Sequence, residues 1–213
     1  MRRIVVLFGP PGIGKGTVGA ALSRKWRLPL VSTGDLLRDQ VGRQTSLGKR
    51  AREYMERGAL VPDALVIEAL KDRVERGDAK NGYLLDGFPR TLEQAEMLEA
   101  LFPPGEECVV LSLEGSRNVL ISRLSQRRIC AQCGAVYHLI NMPPGKDGVC
   151  DTCGGKVVHR VDDEPAVIEN RLRIFSEKTK PILDYYGKRR AVHVIAADGS
   201  LQETLEKIDR VLS

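Results

Sequence analysis

Residues 3–17, RIVVLFGPPGIGKGT, decide how this chain is read. The apolar run Ile4 to Phe8 stops at once in a glycine- and proline-rich turn, Gly9 to Gly16, with Lys15 near its end. A short apolar run closed by turn residues reads as a buried strand, and helical spacing follows from about residue 16 to 25. Strand, glycine turn and helix in that order is the context in which a Gly-x-x-x-x-Gly-Lys segment holds phosphate. Glycines let successive backbone N–H groups converge on phosphate oxygens without a clashing Cβ. The helix N-terminus adds partial positive charge and unpaired donors, and Lys15 supplies a cation. One departure stands out: Gly16 separates Lys15 from Thr17, where the usual pattern has Ser or Thr directly after the lysine. An ordinary turn with no ligand is the alternative, and a lysine at this spacing and in this context argues against it.

Further strands are expected at 28–31, 82–86, 108–113 and 192–196. Helical patterns fill 35–41, 47–57, 62–76, 116–128 and 165–186, with further helices beginning at Thr91 and Ser200. Thr91 with Gln94, and Ser200 with Glu203, have capping-box spacing. The strands are apolar throughout rather than alternating, so the expected class is α/β: a five-stranded parallel sheet with helices on both faces. Residues 129–161 interrupt this pattern. They hold four paired cysteines and Pro143-Pro144 and show little helical periodicity, which reads as a small inserted domain.

The chain has 213 residues, enough to bury a core, and a formal charge of +5. A basic balance suits nucleic acid, an acidic membrane surface or small polyanions. The arginines are spread along the chain rather than gathered in a tail, which favours a phosphate pocket. The first apolar run is too short for a secretory signal, and no uninterrupted apolar stretch of about 18 residues exists, so a cytoplasmic protein without a membrane span is expected.

Four of the five cysteines form Cys130-x-x-Cys133 and Cys150-x-x-Cys153, with 16 residues between the pairs. In a cytosolic chain this spacing points to tetrahedral Zn(Cys)4. Glycine follows each pair, as tight turns around a metal require, and about 30 residues are too few for an independent core, so a metal staple is physically sensible. A redox disulfide pair, iron, and a nucleic-acid-binding zinc ribbon are the alternatives. His138 and His159 are available as ligands but not needed, His193 falls in or beside the last strand, and Cys108 reads as a small buried core residue.

The set GPPGIGKGT, STGDLLR (32–38), LLDGFPRT (84–91), Gln94, RRIC (127–130), RVDD (160–163) and Arg171, in this order, resembles the adenylate kinases and related nucleoside monophosphate kinases over essentially the whole chain. The resemblance implies a core of residues 1–31, 62–126 and 165–213, a helical AMP-binding insert at 32–61, and a zinc-containing lid at 127–164. Adenylate kinases are themselves a standard example of catalytic closure by a lid. The implied reaction is MgATP + AMP = 2 ADP, in a monomer that needs neither nucleic acid nor membrane.

The same resemblance assigns roles. Gly12, Ile13, Gly14, Lys15, Gly16 and Thr17 hold ATP phosphates, and Val136, Tyr137 and Leu201 lie by its base and ribose. Arg38 and Arg90 clamp the AMP phosphate; Arg123, Arg127, Arg160 and Arg171 close over the ATP phosphates and the transferring group, with Arg160 and Arg171 also reaching AMP. Thr33, Gly34, Ala59, Leu60, Val61, Gly87, Phe88, Pro89 and Gln94 form the rest of the AMP site. Gln94 has two competing roles, adenine contact and helix cap. Thr17 and Asp86 belong to the magnesium shell, and Asp162 and Asp163 either bond the nucleotide or balance the lid arginines. Guanidinium groups suit such a site because they stay charged and grip phosphate bidentately. Sister enzymes that use GTP as donor, or accept UMP or CMP, are the rival reading. A switch GTPase would need an N-K-x-D element, which the sequence lacks.

Overall fold

The computed structural model describes residues 3–100 and 107–212. Residues 1–2, 101–106 and 213 of the core segments named above lie outside that description. Strands β1 (Arg3–Phe8), β2 (Leu30–Ser32), β3 (Gly82–Asp86), β4 (Glu107–Glu114) and β8 (Ala191–Ala196) form one parallel sheet in the order β2-β3-β1-β4-β8. With β1 at its centre, the turn after Phe8 opens at the carboxyl edge, where ligands of open parallel sheets bind.

The uninterrupted apolar strands are explained by two separate cores. Ile4, Val6 and Phe8 enter one core with Tyr83, Leu85 and Val110; Val5 and Leu7 enter the other with Leu84, Val109 and Leu111. Because side chains alternate across a strand, both parities must be apolar when both faces are covered. The first face is covered by α2 (Thr33–Gly42), α3 (Ser46–Glu56), α4 (Asp63–Val74), α5 (Leu92–Ala100) and α8 (Ile182–Gly187). The second is covered by α1 (Lys15–Trp26), α6 (Arg117–Ser125), α7 (Pro165–Ile174) and α9 (Leu201–Leu212). Each fully buried Leu, Ile or Val in these layers contributes about 1.5–3 kcal/mol.

The segment between β2 and α4 carries a close helix pair. The Ser32 side chain caps α2 by accepting from Asp35 N, and Thr45 caps α3 by accepting from Gly48 N at 3.0 Å. A Cβ on Gly48 would lie 2.0 Å from the Gln40 carbonyl oxygen and 2.6 Å from Val41 N, so α3 can approach the end of α2 only through a glycine. Gly48→Ala is expected to lower stability by about 2–3 kcal/mol, read from the urea midpoint. A variant with an unchanged midpoint would mean that the two helices are not in forced contact.

Two sequence expectations need revision. The helix expected over 165–186 is broken: α7 ends at Ile174, a π-turn spans Phe175–Thr179, and Pro181 precedes α8. The extra residue of the π-turn places Thr179 Oγ1 to donate to the Arg90 carbonyl at 3.0 Å, and Phe175 packs on Phe8 with ring centroids 5.8 Å apart. The helix expected to reach residue 128 stops at Ser125, because Arg127–Cys130 is a strand, β5. It pairs antiparallel with β6 (Val136–His138) and β7 (Val157–Val158) in a three-stranded sheet that forms the inserted domain.

Candidate active site

A cleft of about 1120 Å³ runs along the carboxyl edge of the large sheet, lined by residues of the 32–61 segment and of the small sheet. Its floor is the Gly9–Thr17 turn. Gly12 has φ +85° there, and an added Cβ would meet the Leu120 carbonyl oxygen at 2.8 Å, so the loop needs glycine both for its conformation and for its packing on α6. Among the described residues no side chain caps α1, whose first turn is Lys15 to Thr17, so its leading N–H groups are left for an anion.

Lys15 Nζ donates to the carbonyls of Gly9 and Pro10 at 2.8 and 2.9 Å. Burial lowers its pKa to about 8; Asp86 opposes the shift, while Arg90, Arg171 and Arg127 add to it. The Asp86 carboxylate ends β3 beside the turn, 3.6 Å from where a Cβ of Gly16 would stand.

On the insert side, Arg38 donates to Asp35 Oδ1 at 2.5 Å, and Arg90 Nε donates to the Gly87 carbonyl at 2.8 Å. Thr33 Oγ1 donates to the same Gly87 carbonyl at 2.8 Å. Gly34 and Gly87 make room for the two guanidinium groups: a Cβ on either would lie 2.9 Å from the NH2 of Arg38 or of Arg90. Ala59, Leu60 and Val61 supply an apolar wall with Met55 and Val66. Phe88 and Pro89 do not line the cleft; Phe88 is buried in the first core layer.

Arg127, Arg160 and Arg171 also line the cleft. Arg127 grips Asp163 through Nε at 2.7 Å and NH2 at 2.5 Å, and Arg171 NH1 donates to the same carboxylate at 2.8 Å. Arg160 grips Asp162 through Nε and NH2 at 2.8 and 2.5 Å. Burial would raise the pKa of Asp162, but the bonds from Arg160 and the charges of Arg160, Arg171 and Arg38 outweigh it and hold this carboxyl far below its ordinary range. Burial lowers Arg171 to about 10 against the pull of Asp162, so it remains a cation at neutral pH. Three guanidinium groups are thus held in fixed places by two carboxylates, an arrangement ready to receive phosphate. Asp162 and Asp163 pair with the arginines around them.

Arg123 is held differently from the other arginines. Its NH1 donates to the carbonyls of Ile13 and Ala197, and its NH2 to those of Asp198 and Gly199, at 2.9–3.1 Å. These bonds tie the phosphate loop to the 197–199 turn beside Leu201. Val136 and Tyr137 line the same end of the cleft from the small sheet.

Two residues that the sequence did not place in the cleft bear on it. His138 lines the cleft; its Nδ1 accepts from Ile140 N and Asn141 N, which puts the proton on Nε2, and that atom is buried without a partner among the described residues. Asp63 accepts from Gln94 Nε2 at 2.6 Å and from Thr91 Oγ1 at 3.2 Å. No local pattern marks either one, since each is defined by partners that the fold supplies.

In the small sheet the Sγ atoms of Cys130, Cys133, Cys150 and Cys153 all lie within 4.8 Å of one another. Cys130 and Cys153 are 3.5 Å apart, and Cys133 and Cys150 are 3.6 Å apart. A disulfide would need about 2.05 Å. Tetrahedral zinc with Zn–S near 2.3 Å sets sulfur–sulfur edges of about 3.8 Å, which these residues fit. Gly134 N donates to the Cys130 carbonyl and Gly154 N to the Cys150 carbonyl, both glycines at φ near +70°, giving two matching knuckles. Tyr137 Oη donates to Cys150 Sγ at 3.2 Å and pulls that thiol down to about 6, toward the thiolate that a metal binds. His138 and His159 stay outside the cluster; His159 Nδ1 is 3.2 Å from Glu164 Oε1.

A family model described as "Adenylate kinase" matches residues 7–191. The chain is similar to the "Adenylate kinase" of Caldicellulosiruptor bescii, 43% identical over 210 residues and 98% of each chain. It is likewise similar to that of Methanothrix thermoacetophila, 43% identical over 211 residues and 98% of each chain. With that of Clostridium perfringens it is 40% identical over 210 residues, 98% of this chain and 97% of the relative.

Proposed function

Since this chain belongs to the adenylate kinase family, we propose that the two halves of its cleft hold ATP and AMP end to end. The enzyme is a phosphotransferase that interconverts ATP and AMP with ADP. One observation carries the assignment to this cleft: the phosphate loop with Lys15, the pair Arg38 and Arg90, and Arg127, Arg160 and Arg171 all line it, and Lys15 feels the charges of Arg90, Arg171 and Arg127. Phosphoryl transfer spreads charge over the moving group, so positioning and fixed cations supply most of the catalysis. The acceptor phosphate is already an anionic nucleophile and needs no general base.

In this reading the amides of residues 12–17 and Lys15 seat the donor phosphates. Arg38 and Arg90 fix the acceptor phosphate, and Arg127, Arg160 and Arg171 surround the group in flight. Thr17 and Asp86 would hold the magnesium ion that accompanies ATP, which would supply positive charge against that of the phosphates. Val136, Tyr137 and Leu201 enclose the donor base, and Arg123 fixes the turn beneath it. Gln94, with Thr33 and the Ala59–Val61 wall, receives the acceptor adenine. The core takes residues 1–31, 62–126 and 165–213, the AMP-binding insert 32–61 and the lid 127–164. The lid cysteines hold zinc in a closed, structural site, since four thiolates leave no position for substrate.

A monomer is the state that the family resemblance implies for the enzyme. A cytoplasmic setting fits the thiol-state cysteines, and no helix among the described residues is long and apolar enough to cross a membrane. A coupled assay with MgATP against AMP, CMP, UMP and GMP tests the reading. ADP formation with AMP alone supports it; preference for another monophosphate would overturn the role of Gln94.

The lowered pKa of Lys15 sets a pH dependence. Below about 8 the free enzyme carries the cation and meets the triphosphate charged; above it the neutral amine loses that attraction. Bound phosphates raise the pKa again, so binding at high pH requires proton uptake. Accordingly kcat/KM for MgATP should fall as pH rises through about 8, by roughly tenfold per unit at the limit, while kcat at saturating ATP stays level further up. Initial rates from pH 7 to 10 at saturating AMP decide this, and a level kcat/KM would exclude Lys15 titration in the free enzyme.

A further inference from the structure

The hydrogen bonds around Gln94 do more than cap α5. Gln94 is 2% exposed yet lines the acceptor end of the cleft. Its Oε1 accepts from Arg90 N at 2.7 Å, and its Nε2 donates to Asp63 Oδ1 at 2.6 Å. These two partners settle which way the amide points, because a backbone N–H can only donate and a carboxylate can only accept. Thr91 steadies the arrangement: its hydroxyl accepts from Gln94 N at 3.1 Å and donates to Asp63 Oδ2 at 3.2 Å.

One Nε2 hydrogen and one Oε1 lone pair remain for a base. A 6-aminopurine offers an acceptor at N1 and a donor at its amino group, which match this remaining donor and acceptor. A 6-oxopurine offers a donor at N1 and an acceptor at O6, the reverse pattern. To receive it the amide would have to turn over, setting Nε2 against Arg90 N–H and Oε1 against the Asp63 carboxylate.

We propose that Asp63 is a positioning residue that selects 6-aminopurine over 6-oxopurine monophosphates by locking the orientation of the Gln94 amide. It rests on Gln94 reading the acceptor base, as proposed above. Specificity of this kind comes from penalising the wrong partner as well as pairing with the right one. A site built to pair a polar edge rejects its mismatch strongly, since the buried groups are left facing their own kind.

The test measures kcat/KM for AMP and for IMP in the full-length enzyme at saturating MgATP. Asp63→Asn can pair with the amide in either orientation, so that only the Arg90 N–H still favours the native one. Asp63→Ser keeps an oxygen at the first turn of α4 but is too short to hold the amide. The AMP-to-IMP ratio should fall about tenfold or more in both, partly because IMP turnover rises. A merely structural role would lower both substrates together; an unchanged ratio in whichever variant folds overturns the proposal. Gln94→Met separates the two layers of the argument. If Met leaves the ratio unchanged, Gln94 does not read the base and both readings fall. If Met collapses the ratio while the Asp63 variants preserve it, only the role of Asp63 is wrong.

Discussion

Arg90→Ala should lower kcat by about 10²-fold or more while changing ATP affinity little, because an acceptor phosphate misplaced by about 1 Å can cost that much in rate. The backbone around Arg90 is held without its guanidinium. Arg90 N donates to Gln94 Oε1 at 2.7 Å and Arg90 O accepts from Thr179 Oγ1 at 3.0 Å, so truncation leaves both in place. What is lost is the bond from Nε to the Gly87 carbonyl and the two terminal nitrogens on the acceptor side of the cleft. A group that acts on the transition state shows itself as a loss in kcat and kcat/KM alike, whereas one that only holds ATP shows itself in affinity. Arg90→Lys should recover part of the rate, since it restores the charge but not the planar fork. Loss of ATP affinity as large as the loss in rate would place Arg90 on the donor side and undo its assignment to AMP.

The residues whose roles depend on local spacing were legible in the sequence. The glycine turn with Lys15, the two C-x-x-C pairs and the apolar strands carry their physical reasons within a few positions of themselves. The two apolar parities of β1 foretold a covered sheet, and the structure divides them between the two core layers. The arginines were legible as a set only through resemblance, because they come from six separate segments that the sheet order gathers at one edge. What the sequence could not show is how each is held. Arg123 has the composition of a phosphate ligand but spends NH1 and NH2 on four carbonyls, three of them 74–76 residues away. Asp63 reads locally as the acidic first turn of α4, and only the tertiary fold brings it to Gln94, 31 positions on. The broken helix at residues 175–179 also escaped, since Phe175 and Thr179 keep helical spacing while serving partners on β1 and beside Arg90.

Removing the metal from the lid should have the largest effect on stability. The lid's own buried cluster consists of Cys130, Tyr137 and Cys150, with Ala135 and Val157 packed against it. At about 1.5–3 kcal/mol for a large buried side chain, that cluster cannot offset the cost of ordering about 30 residues at 1–2 kcal/mol each. The two knuckles also bring four sulfurs within 4.8 Å, where bare thiolates would repel one another. A zinc ion answers both deficits, since its binding energy becomes folding energy when no site exists in the unfolded chain. Chelation, or Cys150→Ser, should therefore abolish hydrogen-exchange protection in β5, β6 and β7 while β1, β3 and β4 stay protected, because the two sheets have separate cores. Turnover should fall with it, since Arg127 begins β5 and Arg160 follows β7, so a melted lid no longer holds either against its carboxylate. Cys150 is the more telling position, because its sulfur accepts from Tyr137 Oη, which in turn accepts from Asp151 N at 2.8 Å. If the fully demetallated protein keeps its lid protection and melts where the metal-loaded form does, the four cysteines are not a staple, and their proximity must be explained by thiol chemistry instead.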